Sequence, residues 1–312
     1  YFSEDEASVV LGGAEIGAIF CRQPFDHLLF TGSSSIAPSV MKSAAENLVP
    51  VTLELGGKSP VIVSDTADLK QAAVRVMAGK TLNAGQICLA PDYVLVNRKV
   101  KKRFLFEVES AVREMFPTMT DNPDYTAVIN ERHQDRLKNL IEDARSKGGE
   151  LVVLSPQNEE LGNNTQNKIP PTLILYPTEE MSVMKEEIFG PVLPIKTYDV
   201  IEDAISYIND HPRPLGLYYF GKNKQEELTV IRRTVSGGVS VNDVIAHIMQ
   251  DDAPFGGIGP SGMGAYHGRE GFINFSHGKT VFRQTSFDYL LQILRPPYGQ
   301  RIRRFLNFMI KK

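Results

Sequence analysis

Two cysteines occur in the 312 residues, and one of them stands in a setting that could expose a thiol. Cys88 closes the run Asn83-Ala84-Gly85-Gln86-Ile87-Cys88, where small and flexible residues precede the sulfur and Pro91 soon ends any regular structure. A free thiol has a pKa of about 8.5, so a nucleophilic cysteine needs an electropositive setting that favours thiolate. The plain alternative for a lone cysteine is a small buried apolar residue. Cys21, beside Ile16 and Phe20 on a helical stretch, reads that way. The second candidate is Glu54, which ends the run Val51-Thr52-Leu53 and precedes Leu55-Gly56-Gly57-Lys58-Ser59-Pro60. The two glycines allow a tight turn or the close approach of a ligand. A carboxylate there is poorly solvated, and desolvation raises its pKa toward neutrality, which suits a base that takes a proton from water. Its alternative is an ion pair with Lys58.

These residues need a scaffold that delivers them to one place. The first sixty residues alternate short β-rich runs with helical stretches: Ser8 to Leu11, a Gly12-Gly13 turn, a helix through Ile16 and Phe20, the strand Leu28 to Thr31, the turn Gly32-Ser33, a helix with Val40, Met41 and Ala44-Ala45, and the strand Val51 to Glu54. This βαβαβ pattern predicts a parallel sheet with ligands at the carboxyl ends of its strands, where Gly32 and Glu54 fall. Beyond Pro60 come a strand at 61–63 and a helix capped by Asp65 or Thr66 that leads to Cys88. The strand Tyr93 to Val96 follows, then helices through Phe104 to Met115 and Leu137 to Ala144, the latter stopped by Gly148-Gly149. Asp199 with Glu202 resembles a capping box for a helix through Ile201, Ala204, Ile205 and Ile208. Strands near Leu215 to Phe220 and Val239 to Asn242 bracket one more helix, and 157–167 reads as a polar surface loop. The fold class is α/β throughout.

The residues Leu53 to Pro60 followed by Gly85-Gln86-Ile87-Cys88 resemble the aldehyde dehydrogenase superfamily. The likeness continues through Phe30-Thr31-Gly32-Ser33, Glu187-Ile188-Phe189-Gly190-Pro191 and Pro254-Phe255-Gly256-Gly257, in the family's order. The run Pro254 to Gly268, then Phe275-Ser276-His277, is most similar to the class 3, fatty and coniferyl aldehyde dehydrogenase branch. The resemblance implies an aldehyde dehydrogenase-like fold, with a partial Rossmann-type NAD domain at 1–57, an α/β catalytic domain at 58–268, and an oligomerisation strand and tail at 269–312. It implies that Cys88 attacks an aldehyde carbonyl and retains a thioester, and that Glu54 activates the water that hydrolyses it. It also implies that Glu187 binds the nicotinamide ribose and Phe189 packs near the ring, while Gly32, Ser33, Leu55 and Gly56 border the cofactor, NAD or NADP. A homodimer is implied, with Thr280 to Phe282 joining a neighbour's sheet.

The chain departs from the family pattern in two respects. Ala37 stands where the family's phosphate turn often has glycine. The chain also begins at Tyr1 with no tryptophan anywhere, whereas relatives carry a preceding stretch holding half of the dinucleotide fold and a Pro-Trp-Asn-type loop that supplies an oxyanion donor. Loss of one such donor typically costs about 10² to 10³ in rate, so this chain alone is expected to be impaired or inactive. A non-catalytic oligomerising fragment is the alternative outside enzymology. A CoA-acylating dehydrogenase is the alternative within it, which Glu54 disfavours, and no histidine sits in a motif suited to a cysteine hydrolase.

A formal charge of −3 and a pI near 6.1 offer no basic field for nucleic acid. No apolar run is long enough to cross a bilayer, and two cysteines without CxxC spacing suggest no metal and a reducing, cytoplasmic setting. After Asp288 only basic charges appear: Arg295, Arg301, Arg303, Arg304, Lys311 and Lys312. A helix there would gather Ile302, Phe305, Leu306 and Met309 on one face. Such an end suits packing over its own subunit or a partner, with peripheral membrane contact the second reading.

Overall fold

Two sheets of unequal size hold the motifs. The computed structural model describes residues 1–156, 159, 167–286, 292 and 295–311, and divides into two units, Tyr1–Phe275 and Ser276–Lys312. In the first unit, α1 (Ala14–Phe20) precedes β1 (Leu28–Thr31), and α2 (Ala37–Ala45) connects β1 to β2 (Val51–Glu54). The two strands are parallel, with Thr31 opposite Glu54. Leu28, Val40, Ala44 and Val49 form the core of this layer, and Cys21 packs at its margin as a half-buried apolar residue.

The larger sheet takes the strands that are apolar at successive positions. β3 (Pro60–Val63) and β4 (Tyr93–Asn97) are buried at every residue, which a parallel sheet covered on both faces requires. α3 (Leu69–Thr81) joins them, and α4 (Lys101–Met115) and α5 (Glu131–Ser146) follow β4. Then come β5 (Glu150–Val153), β6 (Thr172–Leu175), α6 (Ser182–Lys185), β7 (Val192–Tyr198) and α7 (Ile201–Asn209). β8 (Gly216–Phe220), α8 (Lys224–Arg233) and β9 (Gly238–Val241) complete the layer. The strand order is β5-β6-β7-β4-β3-β8-β9, parallel except for β5, which runs antiparallel to β6.

Side chains alternate across this sheet. Val61 and Val63 point into the core under α3 and α4, with Val76, Phe104 and Val108. Ile62 points to the other face, with Leu137 of α5, Ile205 of α7 and Val230 of α8. After β9 the chain returns to the small sheet: β10 (Gly262–Met263) pairs antiparallel with β2, placing Gly262 opposite Glu54. The unit closes with α9 (Gly268–Asn274).

Several sequence expectations are corrected. Ser8 to Leu11 forms no strand; Val9 and Leu11 are more than four-fifths exposed. A strand needs a neighbour for its N–H and C=O groups, and this segment pairs with no described strand, so the opening pattern is αβαβ. α3 is capped by Asp68, whose Oδ1 accepts the Gln71 N–H at 3.1 Å, and not by Asp65 or Thr66. Asp65 instead pairs with Lys99 at 3.0 Å. At α7 the acidic partner is Asp203, which accepts the Val200 and Asp199 N–H groups at 3.1 and 3.3 Å, and not Glu202. In both cases the side chain that wins is the one from which the first free N–H groups are within reach.

The polar loop read at 157–167 lies almost wholly outside the described residues. In the second unit, Thr280 to Phe282 takes no strand within this chain, with Val281 and Phe282 exposed. The amphipathic segment is helical as read, α10 (Gln300–Ile310), and Phe305, Leu306, Phe308, Met309 and Ile310 are exposed. Among the described residues no helix is long and apolar enough to cross a membrane.

The Asp68 cap has a measurable consequence. Asp68→Ala is expected to lower unfolding free energy by about 1 kcal/mol, and Asp65→Ala by less than about 0.5 kcal/mol, as exposed pairs do. Urea unfolding of the two variants checks the assignment, and the reverse order would contradict it.

Candidate active site

The site is built where β2 ends. Glu54 is fixed through its backbone from both sides: its carbonyl accepts the Gly32 N–H at 3.1 Å, and the next residue, Leu55, donates its N–H to the Ser261 carbonyl at 3.1 Å. The side chain is 2% exposed, and neither carboxylate oxygen has a hydrogen-bond partner among the described residues. Burial pushes its pKa up to about 8, the direction expected for a desolvated carboxylate. Lys58 does not neutralise it. That ammonium pairs with Asp92 and donates to the Val183 and Glu186 carbonyls at 2.7 and 3.1 Å.

The chain reaches Cys88 through unusual backbone. After α3, Asn83 and Ala84 take φ of 50° and 53° and Gly85 takes 73°. Left-handed conformations at two successive non-glycine residues cost energy that the surroundings must supply. Two sets of contacts do so here. Gln86 donates to the Asn83 and Ala127 carbonyls at 3.0 and 3.1 Å and accepts the Ile129 N–H at 2.9 Å. Gly85 lies so close to the Gly190 carbonyl that a Cβ would overlap it. The Cys88 turn is thus pressed against the Glu187 loop, where Phe189 is also left-handed, at φ 46°.

Cys88 is half-buried, and its thiol is pushed up to about 11, first by burial and then by the charges of Glu54 and Glu187. The Cys88 and Leu89 N–H groups pull weakly the other way. The electropositive setting expected for this thiol is therefore not supplied by its own neighbours, because the nearest charged groups are carboxylates. Glu187 is itself raised to about 7 by burial and by Asp92, opposed by the Gly57 N–H, Lys58 and Arg136. Its carboxylate lies over Gly56, where any Cβ would collide with it.

One cavity of about 1220 Å³ joins these groups. Gly32, Ser33, Glu54, Leu55, Gly56, Cys88, Glu187 and Phe189 all line it, so the residues singled out in the sequence are brought together. Ala37 faces elsewhere, buried with Leu53 and Leu55 in the small sheet's core. A volume above the usual range of small-molecule sites, the cradle at Gly56 and the turn at Gly32 ahead of α2 suit an extended dinucleotide with its reacting end near Cys88. No cluster of metal-ligating side chains occurs among the described residues.

Sequence reasoning missed Asp92 and Arg136. Asp92 accepts the Ile188 N–H at 2.8 Å with one oxygen and holds Lys58 with the other, so it fastens the turn after β2 to the Glu187 loop. Arg136 on α5 donates to the Glu187 carbonyl at 3.3 Å and to that of Ile188. A charged residue directly before the wholly buried β4 was the available signal for Asp92. Arg136, on a polar helix far away in sequence, gave none.

The raised Glu54 carboxyl makes stability depend on pH. The folded state holds this proton more tightly than the unfolded chain does. Its stabilising contribution is therefore complete below about pH 4.5 and is lost as pH rises through about 8. Glu54→Gln is expected to match the parent at acid pH and to become progressively more stable than it up to pH 8. Equal melting temperatures across that range would contradict an unpartnered buried carboxylate.

Comparison with known proteins places these features in context. The model of the aldehyde dehydrogenase family matches residues 4–281. A probable coniferyl aldehyde dehydrogenase of Caulobacter vibrioides is 57% identical over 312 residues, covering 100% of this chain and 64% of the relative. The substrate-bound structure of Staphylococcus aureus AldH superposes with a TM-score of 0.84 at 37% identity, covering 99% of this chain and 66% of that one. A betaine aldehyde dehydrogenase of Staphylococcus aureus in complex with NAD+ gives 0.76 at 27% identity, covering 85% and 53%. The chain spans about 64% of the length of curated coniferyl aldehyde dehydrogenase relatives that it matches.

Proposed function

The chain belongs to the aldehyde dehydrogenase family, and on that premise we propose that the protein oxidises an aldehyde to its carboxylic acid with NAD+ or NADP+. Coniferyl aldehyde, or another aromatic or medium to long aliphatic aldehyde, is the substrate class. The observation that carries this reading is the shared cavity lined by Cys88 and by a buried carboxylate, Glu54, that has no hydrogen-bond partner among the described residues. Residues 1–57 serve as part of the nucleotide-binding domain, 58–268 as the catalytic domain and 269–312 in assembly of a cytoplasmic homodimer.

Glu187 and the backbone at Gly32, Ser33 and Gly56 hold the cofactor, with Phe189 beside it. Once bound, the oxidised nicotinamide supplies the hydride acceptor and a positive charge beside the thiol. Cys88 then attacks the carbonyl carbon, and the thiol proton passes to water, or to ionised Glu54, which gives it up to solvent before the hydrolytic step. The resulting thiohemiacetal loses hydride and becomes a thioester on Cys88. Glu54, unencumbered by any ion pair, takes a proton from water as that water attacks the thioester carbon. The acid leaves, the sulfur is restored, and Glu54 passes its proton to solvent. A base with a pKa near 8 is matched to this step, because it is strong enough to activate water and still ionises near physiological pH. The same base separates hydrolysis from transfer to coenzyme A, which would not need it.

Steady-state assay of the full-length protein with coniferyl and aliphatic aldehydes tests the proposal by following NAD(P)H. Cys88→Ala is expected to lower kcat/KM by about 10³-fold or more, and added coenzyme A should yield no acyl-CoA. Wild-type rates in Cys88→Ala, or acyl-CoA as the product, would overturn it.

A further inference from the structure

Lys80, the next-to-last residue of α3, does not line the cavity, yet it is fully buried and its Nζ has no hydrogen-bond partner among the described residues. Lysine is almost never wholly buried without a compensating group. The charges that act on this one are Asp92 first, then Lys58, then Glu187. Of the other elements against α3, α4 and β3 contribute Phe104, Val108, Val61 and Val63 to the shared core, the turn 82–85 has no ionisable side chain, and the segment 242–245, which carries Asp243, meets Gly79 through Val244 and Ile245.

The three groups that act on Lys80 shape the Glu187 end of the cavity. Asp92 ties Lys58 to the Ile188 backbone, and Lys58 also binds the Glu186 carbonyl at 3.1 Å. The loop carrying Glu187 is therefore held by Asp92 and Lys58 on one side and by Arg136 on the other. A glutamate accepts hydrogen bonds from ribose hydroxyls most strongly, and on both oxygens, when it is ionised. Burial and Asp92 work against this, holding Glu187 near 7.

We propose that Lys80 is a positioning residue of the cofactor wall, whose buried ammonium shares with Lys58 the balancing of Asp92 and so keeps Glu187 ionised on the loop that Asp92 anchors. The inference rests on the reading that Glu187 binds the nicotinamide ribose. Burial lowers the Lys80 pKa to about 8, so the ammonium is present at neutral pH and is lost in mildly alkaline solution. Coulombic coupling is mutual, so the Glu187 charge that favours the Lys80 ammonium is itself favoured by it.

Carbon-13 NMR of labelled glutamate carboxyls in the full-length protein tests this. A Glu54→Gln background removes the other raised carboxyl, and Glu187→Gln assigns the signal. The expected result is a main inflection near pH 7 and a second, smaller one near pH 8, where Lys80 loses its proton. Lys80→Met should remove the second inflection and move the first upward by roughly half a pH unit or more. An unchanged Glu187 titration in Lys80→Met would overturn the inference. If that variant fails to fold, a single inflection in the protein with Lys80 intact would overturn it equally. The ribose reading fails separately: cofactor affinity unchanged in Glu187→Gln would remove it while leaving the Lys80 coupling measurable.

Discussion

Three acids share one poorly solvated cavity, and the site is organised by the fact that they cannot all be charged together. Glu54, Cys88 and Glu187 are each pushed up by burial, and the thiol is pushed further by both carboxylates. At neutral pH the thiol is therefore protonated and Glu54 mostly so, while Glu187 is close to its midpoint. Attack by sulfur requires positive charge beside the thiol, which in the proposed reaction comes with the oxidised nucleotide. Coupling thiolate formation to cofactor binding follows from this repulsion without any further device.

That arrangement depends on backbone held from several directions. Glu54 cannot turn toward Lys58, because Asp92 and two carbonyls already hold that ammonium. Pairing with β1 on one side and β10 on the other keeps the end of β2 in place. The left-handed residues before Cys88 and at Phe189 face each other across the contact between Gly85 and the Gly190 carbonyl. Each strained turn is supported by the other, so a side chain at Gly85 would displace both the sulfur and the Glu187 loop.

Much of the scaffold was legible because its signals are local. Apolar runs at 61–63 and 93–96 could satisfy themselves only as buried strands, and the glycines around Glu54 marked a close approach. Resemblance to a family then gathered Cys88, Glu54, Glu187 and Phe189, which single-residue reasoning left open. What escaped depends on distant partners. Ser8 to Leu11 has the composition of a strand but pairs with no described strand. Asp68 and Asp203 prevailed over nearby acids through reach that composition does not encode. Asp92, Lys80 and Arg136 looked like ordinary charges, since their importance lies in what the folded chain places around them. The carboxylates around the thiol escaped for the same reason: Glu187 lies about a hundred residues beyond Cys88 in sequence.

The division of labour between Cys88 and Glu54 is most directly tested by mass spectrometry of the intact Glu54→Gln protein, quenched in acid after mixing with aldehyde and cofactor and then digested. Without its base the thioester should persist, so the peptide containing Cys88 should carry the mass of the acyl group at higher occupancy than in the parent. An unmodified Cys88, or an acyl group on Cys21 or another side chain, would contradict the account.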